Sequence, residues 1–172
     1  TREITNNNRF LYSIETKSDW TGDVFKFCQQ LKKVLKEQGT LFDMGYYGEV
    51  ESKCYLLTGY DYVVVCAGTG SKKIGKMIGD NLPIYPVKGY SVTIEEMTGF
   101  GSASLPSYSI LDNDAKIVTS TLGNKLRIAG TAELAGHNYD IRKERIDPLL
   151  KWAQKNLGVV STKYSSWACL RP

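Results

Sequence analysis

The chain has 172 residues, and its 22 Lys and Arg against 18 Asp and Glu give a formal net charge of +4. This length predicts one domain or two small lobes, and a hydrophobic content of 42% with 23% charged residues excludes an intrinsically disordered chain. No apolar run approaches the roughly 20 residues that a membrane-spanning helix needs, and the polar opening Thr1–Arg9 lacks the pattern of a signal peptide. The Lys and Arg residues are scattered and do not alternate with aromatic residues, which argues against a nucleic-acid-binding protein.

The cysteine and histidine content bears on metal binding and on the compartment. Four cysteines stand at positions 28, 54, 66 and 169 without a C-x-x-C pair, and His137 is the single histidine. So few candidate ligands argue against a zinc site. Cys28 and Cys66 fall in apolar patterns and are predicted to be small core residues. We therefore expect no metal and a reducing, cytoplasmic compartment.

The first quarter of the chain predicts one strand followed by an amphipathic helix. Phe10–Ile14 carries a short apolar alternation that is typical of a strand. Thr21 is a candidate helix N-cap, and Gly39 ends the helical pattern. The apolar positions between them recur every three or four residues: Val24, Phe27, Cys28, Leu31, Val34 and Leu35. This spacing predicts a helix with one buried side.

The next segment has the pattern of a strand–turn–helix unit. Thr40–Phe42 and Lys53–Leu57 are short strand candidates. Asp61–Ala67 is apolar without alternation and rich in β-branched residues, which predicts a strand covered on both faces, as in a parallel sheet. Gly68–Gly70 breaks this strand, and Ser71–Ile78 predicts a short helix. A strand, a glycine turn and a helix in this order indicate part of a doubly wound α/β layer.

The second half of the chain predicts an antiparallel sheet. Five segments have strand composition and are separated by turn residues: Ile84–Pro86, Tyr90–Ile94, Tyr108–Leu111, Lys116–Thr121 and Lys125–Ala129. Asp147 is predicted to cap a helix with Pro148 at its first position, and Lys163–Leu170 is predicted to be the last strand. The predicted fold class is therefore α+β, an α/β piece followed by an antiparallel sheet, divided into residues 1–79 and 80–172.

One motif raises the possibility of nucleotide binding. Gly70–Met77 matches G-x-x-x-x-G-K, the pattern of a phosphate-binding loop. Such a loop needs a hydroxyl after the lysine to hold Mg²⁺, but the residue after Lys76 is Met77. We therefore favour an ordinary turn and helix with solvated lysines, and keep nucleotide binding through Gly70–Lys76 as a weaker alternative.

The sequence offers few candidate residues for acid–base or hydrolytic catalysis. His137 lies in a polar loop and has no G-x-S-x-G nucleophile elbow to serve. Asp112 and Asp114 flank a predicted turn, where aspartates hydrogen-bond the backbone. No catalytic side chain is therefore predicted. Arg171, at the end of a predicted strand, is of the residue type that clamps a carboxylate with two parallel hydrogen bonds.

Four segments of the chain resemble one family. They are Asp61–Ser71 (DYVVVCAGTGS), Leu82–Ile94 (LPIYPVKGYSVTI), Lys125–Glu133 (KLRIAGTAE) and Trp167–Pro172 (WACLRP). Together they resemble the D-amino-acid dehydrogenase group of bacterial flavoproteins, within the wider D-amino-acid and glycine oxidase family of FAD-dependent oxidoreductases. The segments YPVKGYS and LRP are the most specific, and the resemblance covers nearly the whole chain.

This resemblance implies an FAD enzyme that oxidises a D-amino acid to an imino acid by hydride transfer from the α-carbon to the flavin. It implies that Arg171, in the LRP segment, binds the substrate carboxylate. It also implies that Lys88 and Tyr90, in the KGY segment, lie near the substrate and the flavin. Three residues at the end of a strand are assigned by the resemblance to the phosphates of FAD: Ala67, Gly68 and Thr69.

Two of the departures of the sequence from the family pattern concern the segments that hold the flavin. It lacks the Gly-rich dinucleotide fingerprint near the family's N-terminus and the Thr-Pro-Asp-Gly segment that follows LRP. We therefore interpret the chain as a middle fragment, in which residues 1–79 are a partial flavin-domain piece and residues 80–172 form the substrate-binding domain. We expect the isolated chain to bind no FAD and to be inactive.

Other interpretations of partners and location stay open at this point. The chain could be a stand-alone binding or self-association module, with a complementary chain or a second copy of itself as the partner. The resemblance also adds a peripheral position at the inner membrane as an alternative to the cytoplasm.

Overall fold

The computed structural model describes residues 14–44, 59–95 and 105–172. The helices in these ranges are α1 (Val24–Glu37), α2 (Ser71–Met77) and α3 (Lys143–Leu157), and a 3₁₀ turn, Gly68–Gly70, precedes α2. The strands are β1 (Val87–Ile94), β2 (Leu111–Asp112), β3 (Ile117–Leu122), β4 (Lys125–Glu133) and β5 (Tyr164–Arg171). These strands form a five-stranded sheet in the order β2-β3-β4-β1-β5, which confirms the predicted α+β class.

Neighbouring strands of the sheet run antiparallel. β2 pairs with β3 and β3 with β4 in this sense, and Leu122 stands opposite Lys125 across a tight turn. The end of β1 meets the beginning of β4, where Lys125 Nζ lies 2.9 Å from Glu95 Oε1. The same end of β1 meets the beginning of β5, because the Glu95 N–H donates to the Lys163 carbonyl at 3.3 Å. The antiparallel pairing predicted from the short loops between these segments is therefore confirmed.

The chain divides into two compact units. Unit 1 comprises Thr1–Phe27, Tyr90–Thr131 and Ile141–Trp167, and unit 2 comprises Cys28–Gly89, Ala132–Asp140 and Ala168–Pro172. Each unit therefore takes its residues from three separate stretches of the chain. The division into residues 1–79 and 80–172 stays a prediction.

The core of unit 1 lies between α3 and one face of the sheet. The helix buries four side chains: Ile146, Leu149, Trp152 and Ala153. The strands bury apolar side chains at alternate positions: Val92, Ile94, Ile117, Leu126 and Ile128. At Gly130 a Cβ atom would lie 2.8 Å from Ile117 Cγ1 and 3.1 Å from Leu149 Cδ2. The helix therefore packs directly on the strand backbone at this glycine.

A buried hydrogen bond connects α3 to the turn between β2 and β3. The Trp152 indole N–H donates to Asp112 Oδ2 at 2.7 Å. The other carboxylate oxygen of Asp112 accepts from the backbone N–H groups of Asp114 and Ala115, at 3.1 and 2.9 Å. Asp112 thus makes the backbone bonds expected of a turn aspartate and also satisfies the one polar atom of a buried tryptophan.

The predicted start of α3 is wrong, because the helix begins at Lys143 and contains Pro148 in its interior. Proline lacks the N–H that would donate to the carbonyl four residues earlier, so one helical hydrogen bond is lost. The first turn is supported instead by a paired side chain, since Lys143 Nζ lies 2.6 Å from Asp147 Oδ2. The helix ends at Gly158, whose φ of 67° is the left-handed conformation of a C-terminal cap.

The helix predicted between Thr21 and Gly39 is confirmed as α1, but its cap and its buried side are not. The Lys26 N–H donates to Asp23 Oδ1 at 3.1 Å, so Asp23 and not Thr21 fills the capping role. The helix has no buried residue, and Phe27 and Cys28 are both exposed. An amphipathic helix buries its apolar side only where other elements cover it, and the described residues supply no such cover.

The segment Asp61–Ala67 contradicts the prediction of a strand covered on both faces. It is assigned to no strand, and its side chains are exposed, 82% in the case of Val64. Cys66 is exposed as well, so it is not the core residue that the pattern predicted. The composition of a buried strand is realised only beside neighbouring strands, and none pairs with this segment in residues 59–95 or elsewhere in the described chain. The predicted helix after it is confirmed as α2.

The remaining strand predictions differ in outcome. Thr40–Phe42 and Ile84–Pro86 are not strands, and β2 is limited to Leu111–Asp112. Lys53–Leu57 lies outside the described residues, as does Phe10–Ile14 except for its last residue. The other predicted strands are confirmed with ends that differ by a few residues, as is usual for boundaries.

Gly130→Ala should destabilise unit 1, because the new methyl group would meet Ile117, Leu149 and the backbone carbonyl of Lys116 at 3.1 Å or less. We expect a loss of about 1–3 kcal/mol in the free energy of unfolding, from overpacking. Urea denaturation followed by circular dichroism measures this loss. Gly89→Ala is the matched control, since a Cβ at that strand glycine would meet only Arg171 Nε, at 3.9 Å. Equal losses in the two variants would contradict close packing at Gly130.

Glu95→Gln should change how stability depends on pH. The hydrogen bond from Lys125 and the charges of Lys125 and Lys163 lower the pKa of Glu95 below its ordinary value of 4.5. A carboxylate with a lowered pKa in the folded state stabilises the fold above pH 4.5 and loses this contribution as the pH falls through the folded-state pKa. The parent chain should therefore lose more stability than Glu95→Gln between about pH 6 and pH 3.

Urea midpoints across this pH range, measured for both proteins, give the comparison. Glu37→Gln changes the net charge by the same amount at an exposed position of α1 and serves as the control. A difference between the parent chain and Glu95→Gln that does not vary with pH would contradict the ion pair with Lys125.

Candidate functional site

Lys88, predicted to lie near the substrate, is fully buried in β1. Its ammonium group donates to Asn138 Oδ1 and to the Asp140 carbonyl, both at 3.1 Å, and lies 3.3 Å from Glu133 Oε2. An ammonium group has three N–H donors, and these three acceptors match them. Burying a charge is tolerated when an opposite charge and hydrogen bonds compensate it. The geometry is therefore that of a cation holding residues 133–140 against β1, and a direct contact of Lys88 with substrate stays a prediction.

The backbone of β4 aims Glu133 toward Lys88. Leu126 and Ile128 are buried, so even-numbered residues of this strand face the core. The alternation then changes, because Ala132 is exposed and Glu133 is buried. Thr131, between the two patterns, has φ of 54°, a conformation that is rare for a β-branched residue. A local kink of this kind re-aims the side chains that follow it, and here it turns Glu133 inward.

The loop that follows β4 is organised by its own polar residues. Asn138 Oδ1 accepts from the Asp140 N–H at 2.7 Å, and the Asn138 amide donates to Asp140 Oδ2 at 3.1 Å. Asn138 thus fixes the turn and presents the same oxygen to Lys88. His137 is exposed in this loop.

Sequence reasoning missed Glu133, Asn138 and Asp140. The predicted strands Ile84–Pro86 and Tyr90–Ile94 left Lys88 between them, and only its burial in β1 shows that it requires an acidic partner elsewhere in the chain. The sequence contains several glutamates and aspartates, however, and nothing in their spacing indicated which one would pair with Lys88.

Arg171 lies near Gly89, on the side of β1 opposite to the side chain of Lys88. It is exposed at the end of β5, and its Nε would lie 3.9 Å from a Cβ atom at Gly89. Successive side chains of a strand point to opposite faces, so the Gly89 side of β1 is opposite to that of Lys88. The structure therefore brings Arg171 to Gly89 but not to the ammonium of Lys88. Within the described residues its guanidinium has no carboxylate partner, which leaves its donor fork available to an anion.

Tyr90, the third residue assigned by resemblance to the substrate, is almost completely buried in β1, at 2% exposure. It belongs to unit 1, whereas Lys88 and Arg171 belong to unit 2. As a strand position two residues from Lys88, it shares the core-facing side of β1. Its predicted contact with substrate stays a prediction.

Ala67, Gly68 and Thr69 form the entry to α2. Gly68 has φ of 55° and no atom within 4 Å of where a Cβ would be, and the Gly70 N–H donates to the Ala67 carbonyl at 3.0 Å. The backbone N–H groups of Gly68 and Thr69 donate to no acceptor in the described part of the chain, which suits a phosphate. The preceding segment is exposed and unpaired in the described residues, however, so a contact of these three residues with the phosphates of FAD stays a prediction.

The segment with the phosphate-loop spacing does not form a glycine-rich loop. Ser71–Met77 is helical, and a Cβ at Gly75 would lie 2.9 Å from Leu82 Cγ. This glycine is therefore required for packing of the helix on the loop that follows it. Lys72 donates to the Ile84 carbonyl at 3.1 Å. The geometry thus agrees with an ordinary turn and helix.

Two features of the described residues bear on other classes of function. None of the described helices is both long and apolar enough to cross a membrane. No group of three or more His, Cys, Asp and Glu side chains in the described ranges is placed to hold a metal ion.

Comparison with known proteins gives a consistent result. A family model described as FAD dependent oxidoreductase, DAO, matches residues 1–172. D-amino acid dehydrogenase 3 of Mesorhizobium japonicum is 40% identical over 183 residues, which cover 96% of this chain and 44% of that protein. D-amino acid dehydrogenases of Bradyrhizobium diazoefficiens and Dechloromonas aromatica are 31% and 34% identical, over 95% and 91% of this chain and 41% of each protein.

The chain thus spans about two fifths of the length of the curated relatives it matches. The family match over residues 1–172 includes the segments DYVVVCAGTGS, LPIYPVKGYSVTI, KLRIAGTAE and WACLRP. The chain belongs to the DAO family of FAD-dependent oxidoreductases.

Proposed function

We propose that this chain provides the substrate-binding part of an FAD-dependent dehydrogenase that oxidises D-amino acids. The observation that carries the proposal is Arg171, an exposed arginine without an acidic partner in the described residues, next to the glycine of the KGY segment. The relatives named D-amino acid dehydrogenase, at up to 40% identity, support the substrate class. A D-amino acid presents a carboxylate, and the planar fork of an arginine suits that group.

Within this proposal each predicted residue has a distinct task. Arg171 binds the substrate carboxylate, and Gly89 leaves room for its side chain. Lys88 holds residues 133–140 in place through its buried contacts, and so positions the strand that carries Gly89. Tyr90 keeps β1 anchored through its buried ring. FAD, when bound, supplies the redox chemistry.

We propose further that the 172 residues by themselves neither retain FAD nor turn over substrate. The sequence contains no G-x-G-x-x-G fingerprint, the element that places a helix N-terminus and close backbone contacts at the pyrophosphate. Ala67–Thr69 offer backbone donors at one edge only. A purified chain that carries stoichiometric flavin, seen as a visible absorption band, would contradict this part of the proposal.

A second candidate function is assembly with another polypeptide, and a specific observation favours it. Apolar side chains of unit 2 are exposed on α1 and in residues 61–67, among them Leu31, Val34, Tyr62 and Val64. Exposed apolar surface of this kind marks interaction sites. The partner would be a complementary chain that supplies the remaining parts of the fold, or a second copy. The three described cysteines, Cys28, Cys66 and Cys169, are free, which suits a reducing compartment such as the cytoplasm.

The proposed role of Arg171 can be tested in a complete enzyme. Residues 1–172 would replace the matching segment of D-amino acid dehydrogenase 3 of Mesorhizobium japonicum. We expect the chimera to reduce an artificial electron acceptor with D-amino acids and not with L-amino acids. Arg171→Leu should lower kcat/KM by roughly 100-fold or more, because the charge-assisted hydrogen bonds to the carboxylate are lost.

Arg142→Leu is the matched control, since Arg142 is an exposed arginine that already pairs with Glu144. Flavin absorbance of each purified chimera shows whether the cofactor is retained. A chimera that retains flavin and keeps its full kcat/KM after Arg171→Leu would contradict the assigned role. One that retains flavin and oxidises no D-amino acid would contradict the proposed function.

The assembly function predicts concentration-dependent self-association of the isolated chain, or binding of a complementary chain when one is supplied. Val64→Lys should weaken association by about tenfold or more, since it places a charge in the exposed apolar segment. Gln29→Lys makes the same change of charge on the polar side of α1 and should have little effect. Light scattering over a range of concentrations measures both. Monomers at every concentration, with no binding of a complementary chain, would exclude this function.

A further inference from the structure

Three side chains form a row across the strands of unit 1. Arg127 on β4 donates from Nη2 to Ser91 Oγ on β1 at 3.0 Å. The guanidinium carbon of Arg127 also lies 5.2 Å from the ring centroid of Trp167 on β5. Because the neighbours Leu126 and Ile128 are buried under α3, Arg127 lies on the opposite face of the sheet. The arginine thus crosses β1 and stacks on an aromatic ring two strands away.

The charge of Arg127 has no counterpart in the described residues. The side chain is half-buried, and no carboxylate among residues 14–44, 59–95 and 105–172 pairs with it. Lys125, the next residue on the same side of β4, is different, since Glu95 lies 2.9 Å from its ammonium group. A cation withdrawn from water is normally paired. Among the described residues, the row therefore carries one positive charge without an acidic partner.

The surroundings of Arg127 hold it in one orientation. Trp167 covers one face of the guanidinium, and cation–π stacking of this kind is stronger for a partly buried pair. Ser91 is 3% exposed, accepts one N–H of Arg127, and has no acceptor for its own O–H in the described chain. The remaining N–H groups of Arg127 likewise have no acceptor there. A fixed guanidinium with free donors beside a free hydroxyl is arranged to receive oxygen atoms.

We propose that Arg127, Ser91 and Trp167 form a binding site for the carboxylate of a small organic acid. The single uncompensated charge matches a monoanion better than a phosphate dianion. The fork of the guanidinium matches the two carboxylate oxygens, and the Ser91 O–H adds a third donor. Trp167 is 54% exposed, so its ring also offers an apolar surface to the hydrocarbon part of the acid. The inference does not depend on the proposed function, because its residues all belong to unit 1 and its test needs no flavin.

The test follows the indole N–H signal of Trp167 by NMR in the 172-residue chain while sodium propionate is added. Trp20→Phe and Trp152→Phe identify the three indole signals, since the chain has three tryptophans. We expect the Trp167 signal to shift and saturate with a dissociation constant in the millimolar range, and sodium chloride at equal ionic strength to cause no saturable shift. Inorganic phosphate is titrated in parallel, and it should bind more weakly than propionate.

Two substitutions of Arg127 separate charge from geometry. Arg127→Gln removes the charge and should weaken propionate binding by about tenfold or more. Arg127→Lys retains the charge and the apolar stem but loses the planar fork, and it should also weaken binding by about tenfold. Arg142→Gln removes an equal charge from an arginine of unit 1 that pairs with Glu144, and binding should not change. Near-ultraviolet circular dichroism reports whether each variant is folded.

Three results would overturn the proposal. The first is a parent chain that responds to propionate no more than to chloride, a result that requires no variant. The second is propionate binding that survives in a folded Arg127→Gln or Arg127→Lys variant at the parent affinity. The third is phosphate that binds more tightly than propionate, which would contradict the carboxylate assignment. None of these results would bear on the role of Arg171 in the chimeric dehydrogenase.

Discussion

The close approach of α3 to the sheet at Gly130 is the constraint on which the organisation of unit 1 depends. Because Ile117 and Leu149 fill the space that a side chain at Gly130 would need, the helix and two strands meet without an intervening layer. This contact places Trp152 where its indole N–H reaches Asp112. The turn between β2 and β3, the helix and the core are thereby connected by one buried hydrogen bond and one glycine. The opposite face of the sheet is left free of α3, and it carries Arg127, Ser91 and Trp167.

Part of unit 2 is organised around a buried charge. Lys88 is buried, so its ammonium must be compensated, and Glu133, Asn138 and Asp140 compensate it. Two unusual local features make this possible. The left-handed backbone at Thr131 turns Glu133 inward, and the side chain of Asn138 fixes the turn that presents the Asp140 carbonyl. If one of these partners is removed, the ammonium of Lys88 stays buried without full compensation, which is strongly unfavourable. The local structure that brings the partners together is therefore strictly required.

The elements that sequence predicted well are those whose signals are local. The period of apolar residues and Gly39 defined α1, and alternation with short turns defined β1, β3, β4 and β5. What failed depends on other parts of the fold. Asp61–Ala67 has the composition of a buried strand, but burial requires neighbouring strands, and the pattern cannot indicate whether they are present. Pro148 is a strong helix-start signal, and packing of Ile146 and Leu149 overrides it.

The same difference, between local signals and contacts that form only in the fold, applies to the residues of the candidate site. A resemblance could single out Lys88, Tyr90 and Arg171, because short motifs retain their spacing. It could not tell a compensated cation from a free one, since that difference arises only when distant residues meet in space. Lys88 is a compensated cation, with its partner on a different strand. No feature of the sequence distinguishes the glutamate that pairs with it from the others.

Whether a cation has acidic partners and acceptors for its N–H groups distinguishes a structural cation from one that is a candidate for ligand binding. A buried cation that has all its acceptors, such as Lys88, has no free donor left to offer a ligand, so its effect on binding must pass through the elements it holds. A cation that is oriented but unpaired in the described residues, such as Arg127 on Trp167, has the opposite properties. Its geometry is already determined, so an arriving anion need not order it, and the electrostatic gain is larger than in water because the side chain is half-buried. Arginine is suited to this role because stacking on an aromatic face leaves its in-plane N–H donors free, which a lysine ammonium cannot match.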